Sequence, residues 1–238
     1  MADLLLFAEV PERVLAVYAH PDDADVACGA TLARWADAGS EVHLLLLADG
    51  GKGTSDPAVE PADLAATRAL EVAAAVDVLG LSSVEILGIA DGEVPEQLDL
   101  IETLVQRIRN LRPSCVLGHD PTAVFFGSVY VNHRDHRAAG WALLDAVSPS
   151  AAQPHYFPDS GPPHRVNDVL LSGTLEADTY VDVSSTIDRK VDAVTAHGSQ
   201  LPGDHEWIRS SVRQRAAEVG RAAGVAFAEG FRHLVLDT

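Results

Sequence analysis

The sequence is poor in cysteine, aromatic residues and basic charge. Cys28 and Cys115 are the only cysteines among 238 residues, which is too few for a disulfide framework, so we expect a reduced, cytoplasmic protein. Lysine and arginine number 17 against 35 aspartates and glutamates, for a formal charge of −18. Such an acidic surface repels phosphate backbones and anionic lipid, and this argues against nucleic acid or a membrane as a partner.

Long apolar runs and nucleotide-binding motifs are also lacking. No run approaches the roughly 20 apolar residues of a membrane span. The N-terminus has no basic segment and no small-residue cleavage site, so we expect no signal peptide. The loop "LADGGKGTS" does not match a phosphate-binding loop, because Lys52 is followed by Gly53 and not by serine or threonine. No GxGxxG follows the first predicted strand, so nucleotide binding is not expected.

Apolar strands alternate with helical patterns along the chain, which is 47% hydrophobic. Strands are predicted at 13–19, 41–48, 83–87, 114–119, 168–174 and 179–183, and helices at 28–39, 61–80, 96–113, 134–147, 184–200 and 205–223. Continuous apolar strands separated by helices are typical of a mostly parallel sheet covered on both faces. We therefore predict one domain, residues 1–238, with a three-layer, Rossmann-like α/β fold.

Three polar clusters follow predicted strands. They are "HPDDAD" after the first strand, "ADGGKGTSD" after the second, and "GHDP" leading to "NHRDHR" after the fourth. In open parallel sheets, ligands bind outside the carboxyl ends of the strands. We therefore expect these clusters to meet, although more than a hundred residues separate the first from the last.

The segment "HPDD" allows two interpretations. In one, Asp22 or Asp23 caps the following helix and His20 simply ends the strand. In the other, Pro21 stiffens the backbone and several side chains are directed at one metal ion, since histidine plus carboxylate is the ligand chemistry of zinc.

The segment "NHRDHR" also allows two interpretations. His133, Asp135 and His136 either mark a helix N-terminus, where Asp135 is favoured by the helix dipole, or supply a further metal ligand. Two His–Asp clusters at neighbouring strand ends favour a shared site. By residue type, that site has two histidines and a carboxylate for a metal, with one acid and one histidine to spare.

The motifs "AHPDDAD", "NHRDHRAAG" and "KVDAVTAHGSQ" resemble the LmbE/PIG-L family of zinc-dependent N-deacetylases. The resemblance runs from about residue 13 to residue 200. It implies hydrolysis of the acyl amide of an N-acetylated amino sugar or glycoside, a small-molecule substrate, to acetate and free amine. The implied cofactor is Zn²⁺, with iron, manganese, cobalt or nickel as alternatives. Whether the chain forms a homo-oligomer is left open.

The resemblance also implies roles for individual residues. Asp22 would be the general base, His133 would face the developing oxyanion, and Asp135 would orient a histidine. The implied zinc ligands are His20, Asp23 and His136.

Three further residues are candidates for substrate binding. Arg68 and Asp91 match positions near the substrate pocket of the family, and His197 matches a late histidine. Alternatives remain for the first two. Arg68 fits an ordinary helix pair with Glu60 or Glu71, and Asp91 fits a turn.

The chain departs from the family pattern at two points. Ala24 stands where the family commonly has glutamate, with Asp25 one position later. Some members have a tyrosine where this chain has Val131, and Tyr130 precedes it, so a role of Tyr130 in catalysis is left open. The Pro-rich segment 148–165 is expected to form an active-site wall or a subunit contact.

Rival functions are an amidase acting on a mycothiol-type conjugate, a phosphoesterase and a sugar-binding protein without catalysis. A single-metal site with no anion cradle argues against phosphoesters. The intact Asp22 and His133 argue against a protein that only binds sugar.

Overall fold

The computed structural model describes residues 5–201, 203 and 205–236. Its strands are β1 (Leu5–Leu6), β2 (Arg13–Tyr18), β3 (Glu41–Ala48), β4 (Ser83–Ile89), β5 (Cys115–His119), β6 (Phe125–Phe126), β7 (Tyr130–Val131), β8 (Asp168–Ser172), β9 (Thr179–Asp182) and β10 (Ala228–Val235). Its helices are α1 (Asp23–Asp37), α2 (Pro61–Leu79), α3 (Leu98–Leu111), α4 (Arg134–Asp145), α5 (Ile187–Ala196) and α6 (Glu206–Ala223). No helix in this part of the chain is long and apolar enough to cross a membrane.

The sheet is mostly parallel. Among the described residues, eight strands form it in the order β1-β9-β10-β8-β5-β2-β3-β4, and β6 pairs with β7 in a separate ribbon. The strands β4, β3, β2, β5 and β8 run parallel to one another. Of the strands described in this sheet, only β10 runs antiparallel to its neighbours, β8 and β9.

Helices cover both faces of this sheet. Leu15 and Val17 of β2 join the core formed with α3 and α4, whereas Ala16 and Tyr18 join the core formed with α1 and α2. Successive side chains of a strand point to opposite faces, so a strand buried on both sides must be apolar throughout. The predicted three-layer α/β fold is confirmed.

The structure differs from the sequence-based expectation at the start of helix α1 and at four strands that were not predicted, β1, β6, β7 and β10. Helix α1 begins at Asp23, five residues before the predicted start at Cys28, where the backbone departs from helical angles. The carboxylate of Glu229 accepts the N–H groups of Ala30 and Thr31 just after that break. The pairing of strand β10 depends on β8 and β9, which lie far from it in the sequence.

The Pro-rich segment 148–165 lies at the amino ends of the strands. His164 contacts the carbonyl of Pro113, just before β5. Arg109 of α3 is 1% exposed, and its guanidinium donates to the carbonyls of Ser150, Ala151, Gln153, Tyr156, Phe157 and Gly161. The polar clusters lie at the opposite ends of the strands, so the expectation of an active-site wall is wrong. The expectation of a subunit contact stays a prediction.

We predict that Arg109→Met lowers the free energy of unfolding by about 3 kcal/mol or more, because each buried carbonyl left without a donor costs about 1–3 kcal/mol. The control is Arg107→Met on the same helix. Arg107 pairs with the exposed Glu85, and loss of such a pair costs about 1 kcal/mol or less. Urea denaturation of both variants measures the difference, and equal losses would contradict the assigned role of Arg109.

Candidate metal centre and active site

The polar clusters meet at the carboxyl ends of the parallel strands. His20 follows β2, Asp91 follows β4 and His119 ends β5. Asp23 begins α1, and His136 lies in the first turn of α4. The expectation that distant clusters share one location is confirmed.

Three side chains in this cluster place their donor atoms close together, and Asp23 presents one carboxylate oxygen to each of the two histidines. His20 Nδ1 lies 3.3 Å from His136 Nε2 and 3.3 Å from Asp23 Oδ2. His136 Nε2 lies 3.1 Å from Asp23 Oδ1. Ligands bound at about 2.0–2.1 Å in a tetrahedral zinc site lie about 3.3 Å apart. The donor triangle of His20, Asp23 and His136 therefore fits one small divalent ion.

Neighbouring groups orient the two imidazoles of the donor triangle. His20 Nε2 lies 3.2 Å from Asp135 Oδ2 and 3.3 Å from Asp91 Oδ1, so this nitrogen carries the hydrogen. The lone pair of Nδ1 is therefore free to bind a metal ion. His136 Nδ1 lies 3.0 Å from Asn132 Oδ1, so Nε2 is free. A metal-bound histidine commonly donates its other N–H to such an oxygen. Asp135 thus has the contact that its predicted orienting role requires.

His119 was missed by the sequence analysis. Its Nε2 lies 3.3 Å from Asp23 Oδ2, but it also accepts the N–H of Ala19 at 3.2 Å, so its lone pair is directed at the main chain. Its ring stacks on His136 with centroids 4.2 Å apart. His119 therefore supports the donor triangle from the side. The "GHDP" cluster was the available signal, but only the register of β5 against β2 places His119 beside Asp23.

The two adjacent aspartates diverge. Asp22 has a left-handed backbone (φ 91°) and makes no side-chain capping bond, so the interpretation of Asp22 as a helix cap is wrong. The carboxylate of Asp22 lies 3.3 Å from Arg68 Nη2, and its side chain is 28% exposed. Asp23 instead accepts the N–H of His20 at 2.7 Å.

The surroundings push the pKa values of these two acids apart. Burial and the neighbouring Asp23 carboxylate raise the pKa of Asp22 to about 7, against the opposing effect of Arg68. Burial alone would also raise the pKa of Asp23, but His119, His136 and His20 lower it well below its usual range. Asp22 can thus accept and return a proton near neutral pH, whereas Asp23 stays ionised.

His133 is both a helix cap and a group of the site. Its Nδ1 accepts the N–H of Asp135 at 3.2 Å at the start of α4, so its neutral ring carries the hydrogen on Nε2. Burial and the nearby His20 lower the pKa of His133, which favours that neutral form. Its ring lies 4.8 Å from that of His20, edge to face. His133 can therefore donate a hydrogen bond from Nε2 next to the metal-binding side chains of the donor triangle.

The predicted substrate-binding residues fall into two groups. Asp91 lies at the site, with Oδ1 near His20 and Oδ2 accepting the N–H of Lys52. Arg68 and His197 lie behind Asp22 and are only 4% and 1% exposed.

Arg68 has partners other than those of the ordinary helix pair. It contacts Gly50, Pro21 and Asp22, whereas Glu71 accepts from Ser199. The interpretation of Arg68 as a helix pair with Glu60 or Glu71 is therefore wrong.

Comparison with known proteins identifies the family. The family model described as "PIG-L: GlcNAc-PI de-N-acetylase" matches residues 15–147. Diacetylchitobiose deacetylase of Thermococcus kodakarensis is 34% identical over 226 residues, which cover 93% of this chain and 82% of that protein. The chain belongs to the PIG-L family.

Further PIG-L relatives agree with this membership. The 1D-myo-inositol 2-acetamido-2-deoxy-alpha-D-glucopyranoside deacetylase of Rhodococcus jostii is 27% identical, over 84% of this chain and 86% of that protein. The structure of N,N'-diacetylchitobiose deacetylase from Pyrococcus horikoshii matches with a TM-score of 0.86 and 28% identity, over 94% of this chain and 84% of that one. The resemblance stated from the motifs is confirmed.

We predict that His136→Ala abolishes stoichiometric metal binding, because the variant loses one of three closely spaced donors. Asn132→Leu keeps the donors but loses the contact to His136 Nδ1, and we expect roughly 10–100-fold weaker metal binding. Metal analysis after dialysis and a competitive chelator titration measure both. The control is His155→Ala, an exposed histidine of the Pro-rich segment. Unchanged metal affinity in His136→Ala would exclude the donor triangle.

Proposed function

We propose that this PIG-L member is a zinc-dependent N-deacetylase. It removes an acetyl group from the amide nitrogen of an N-acetylated amino sugar or glycoside and releases acetate and a free amine. One observation carries the proposal. The donor triangle of His20, Asp23 and His136 stands beside a carboxylate, Asp22, that contacts Arg68 and is not part of the triangle.

Two neutral imidazoles and one carboxylate are a donor set that suits zinc in an open catalytic site. The same donors also accept iron, manganese, cobalt or nickel. A divalent ion held there would supply a Lewis acid, which would lower the pKa of water toward about 7 and polarise an acyl carbonyl.

We also propose a reduced, cytoplasmic location for the protein. Both cysteines are free and buried, which supports this proposal.

Asp22 and His133 supply the proton transfers and the charge stabilisation. Asp22 takes a proton from the attacking water as the new C–O bond forms. The carbonyl electrons move onto oxygen, and the Nε2–H of His133 donates to that oxyanion, a contact typically worth about 3–4 kcal/mol. The C–N bond then breaks, and the leaving nitrogen takes the proton held by Asp22. Water and amide are thus converted to acetate and amine.

The substrate class rests on the relatives and on the polar character of the site. The two curated relatives are named for deacetylation of diacetylchitobiose and of an inositol 2-acetamido-2-deoxyglucoside. Asp91 lies beside His20, where its carboxylate can accept a hydrogen bond from a sugar hydroxyl. We therefore propose a substrate with an N-acetylated amino sugar at the position of cleavage.

The test is acetate release with metal analysis alongside. N,N'-diacetylchitobiose, N-acetylglucosamine and its inositol glycoside are compared with an acetyl ester and a phosphoester. We expect acetate and one new amine per turnover from an N-acetyl sugar. Hydrolysis of esters or phosphates alone would overturn the proposal, and so would sugar binding without acetate release. Cleavage of a mycothiol-type amide alone would favour the amidase.

We predict opposite behaviour for the two aspartates. Asp22→Asn keeps the shape but removes the base, so kcat should fall about 10²–10⁴-fold while metal content is retained. Asp23→Ala removes a donor, so metal content and activity should fall together, with partial recovery in excess metal.

Measuring kcat and metal content for both variants side by side makes each the control of the other. If Asp22→Asn loses the metal and Asp23→Ala keeps it, the two roles are reversed.

A further inference from the structure

Asp22 is held in an unusual conformation. Its backbone is left-handed, which is uncommon for a residue other than glycine, and its carboxylate lies against Arg68. A base that transfers a proton must keep its oxygen in reach of the reacting water. The residues that contact Asp22 from the protein interior therefore affect how well it works as a base.

Arg68 contacts Asp22 from the protein interior. Its guanidinium donates to the carbonyl of Pro21 and lies 3.3 Å from the Asp22 carboxylate. It also donates to the carbonyl of Gly50 at 3.0 Å. One rigid group thus holds both the peptide that precedes Asp22 and its side chain, and anchors them to the loop after β3.

Gly50 makes room for this guanidinium. A Cβ at this position would lie 2.5 Å from Arg68 Nη1, and the backbone has φ +68°. A residue with a side chain would therefore displace Arg68. The glycines of "ADGGKGTSD", which do not form a phosphate-binding loop, include one that admits Arg68 to its place.

His197 holds the next part of the same turn. Its Nε2 lies 2.8 Å from Asp25 Oδ2, and both side chains are buried. Asp25 lies in the first turn of α1, three residues after Asp22. This chain has Ala24 where the family commonly has glutamate, and it has Asp25 one position later. The carboxylate of Asp25 is the group that His197 contacts.

We infer that Arg68 is a positioning residue for Asp22, supported by the His197–Asp25 pair. This inference rests on the proposed function, in which Asp22 is the base. Arg68 binds three oxygens through a planar group of fixed shape. Lysine offers a single ammonium and cannot reproduce those contacts.

The experiment compares Arg68→Lys with Arg13→Lys, a control at the amino end of β2, where Arg13 pairs with the exposed Glu41. With the N-acetyl sugar that the enzyme cleaves best, Arg68→Lys should lower kcat about 10²-fold, the cost of a base misplaced by about 1 Å. KM and metal content should stay within about twofold, and Arg13→Lys should match the parent. A KM that rises while kcat is unchanged would assign Arg68 to substrate binding and overturn the inference.

Rescue separates positioning from a general loss of structure. In Arg68→Ala, millimolar guanidinium should restore part of kcat, whereas it should not restore Asp22→Asn. Lack of rescue in a variant that melts like the parent would overturn the inference. His197→Gln should lower kcat and leave KM unchanged, and a rise in KM alone would return His197 to substrate binding.

The Asp22→Asn variant also tells the two failures apart. Full activity in Asp22→Asn would refute the proposed base itself. A large loss in Asp22→Asn combined with full activity in Arg68→Lys would refute only the positioning role.

Discussion

The parallel pairing of β2 with β5 is the contact on which the site depends. It sets Val17 beside Gly118, so the chain after β2 and the chain after β5 leave the sheet side by side. Helix α4 can follow closely because Gly140 approaches the end of β5. A Cβ there would lie 2.6 Å from the carbonyl oxygen of His119. This close packing brings the N-terminus of α4, with its histidines, to the donor triangle.

The division of roles between Asp22 and Asp23 follows from their surroundings and not from their chemistry. Asp23 faces three imidazoles and stays ionised. Asp22 turns toward Arg68, where burial and the neighbouring Asp23 carboxylate raise its pKa. Paired acids in different environments take different roles in catalysis. The left-handed backbone of Asp22 is the local feature that separates them.

The ligand and base side chains of the site are oriented by neighbouring residues. Asn132 orients His136, Asp135 orients His20, and Arg68 holds Asp22. Asp135 also accepts the N–H groups of Gly92 and Val94, so α4 and the loop after β4 are joined at the same point. These contacts join α2, the start of α4 and the loop after β4, which makes the geometry of the site a property of the whole sheet edge.

The sequence by itself determined the layers of the fold and the place of the site. Strand 41–48 was predicted with the bounds observed for β3, because burial on both faces requires an uninterrupted apolar run. The rule for ligand sites in parallel sheets then brought the motifs around His20 and His136 together. The individual roles of His20, Asp22 and Asp23 came from family resemblance and stay predictions.

The tertiary structure alone decided the contribution of His119, the pairing of β10 and the burial of Arg68 and His197. Each of these depends on the register and packing of segments that are far apart in the chain. The spacing of apolar residues along a segment predicts its secondary structure, but not the other segments against which it packs. The same spacing would be seen whichever segment became its neighbour.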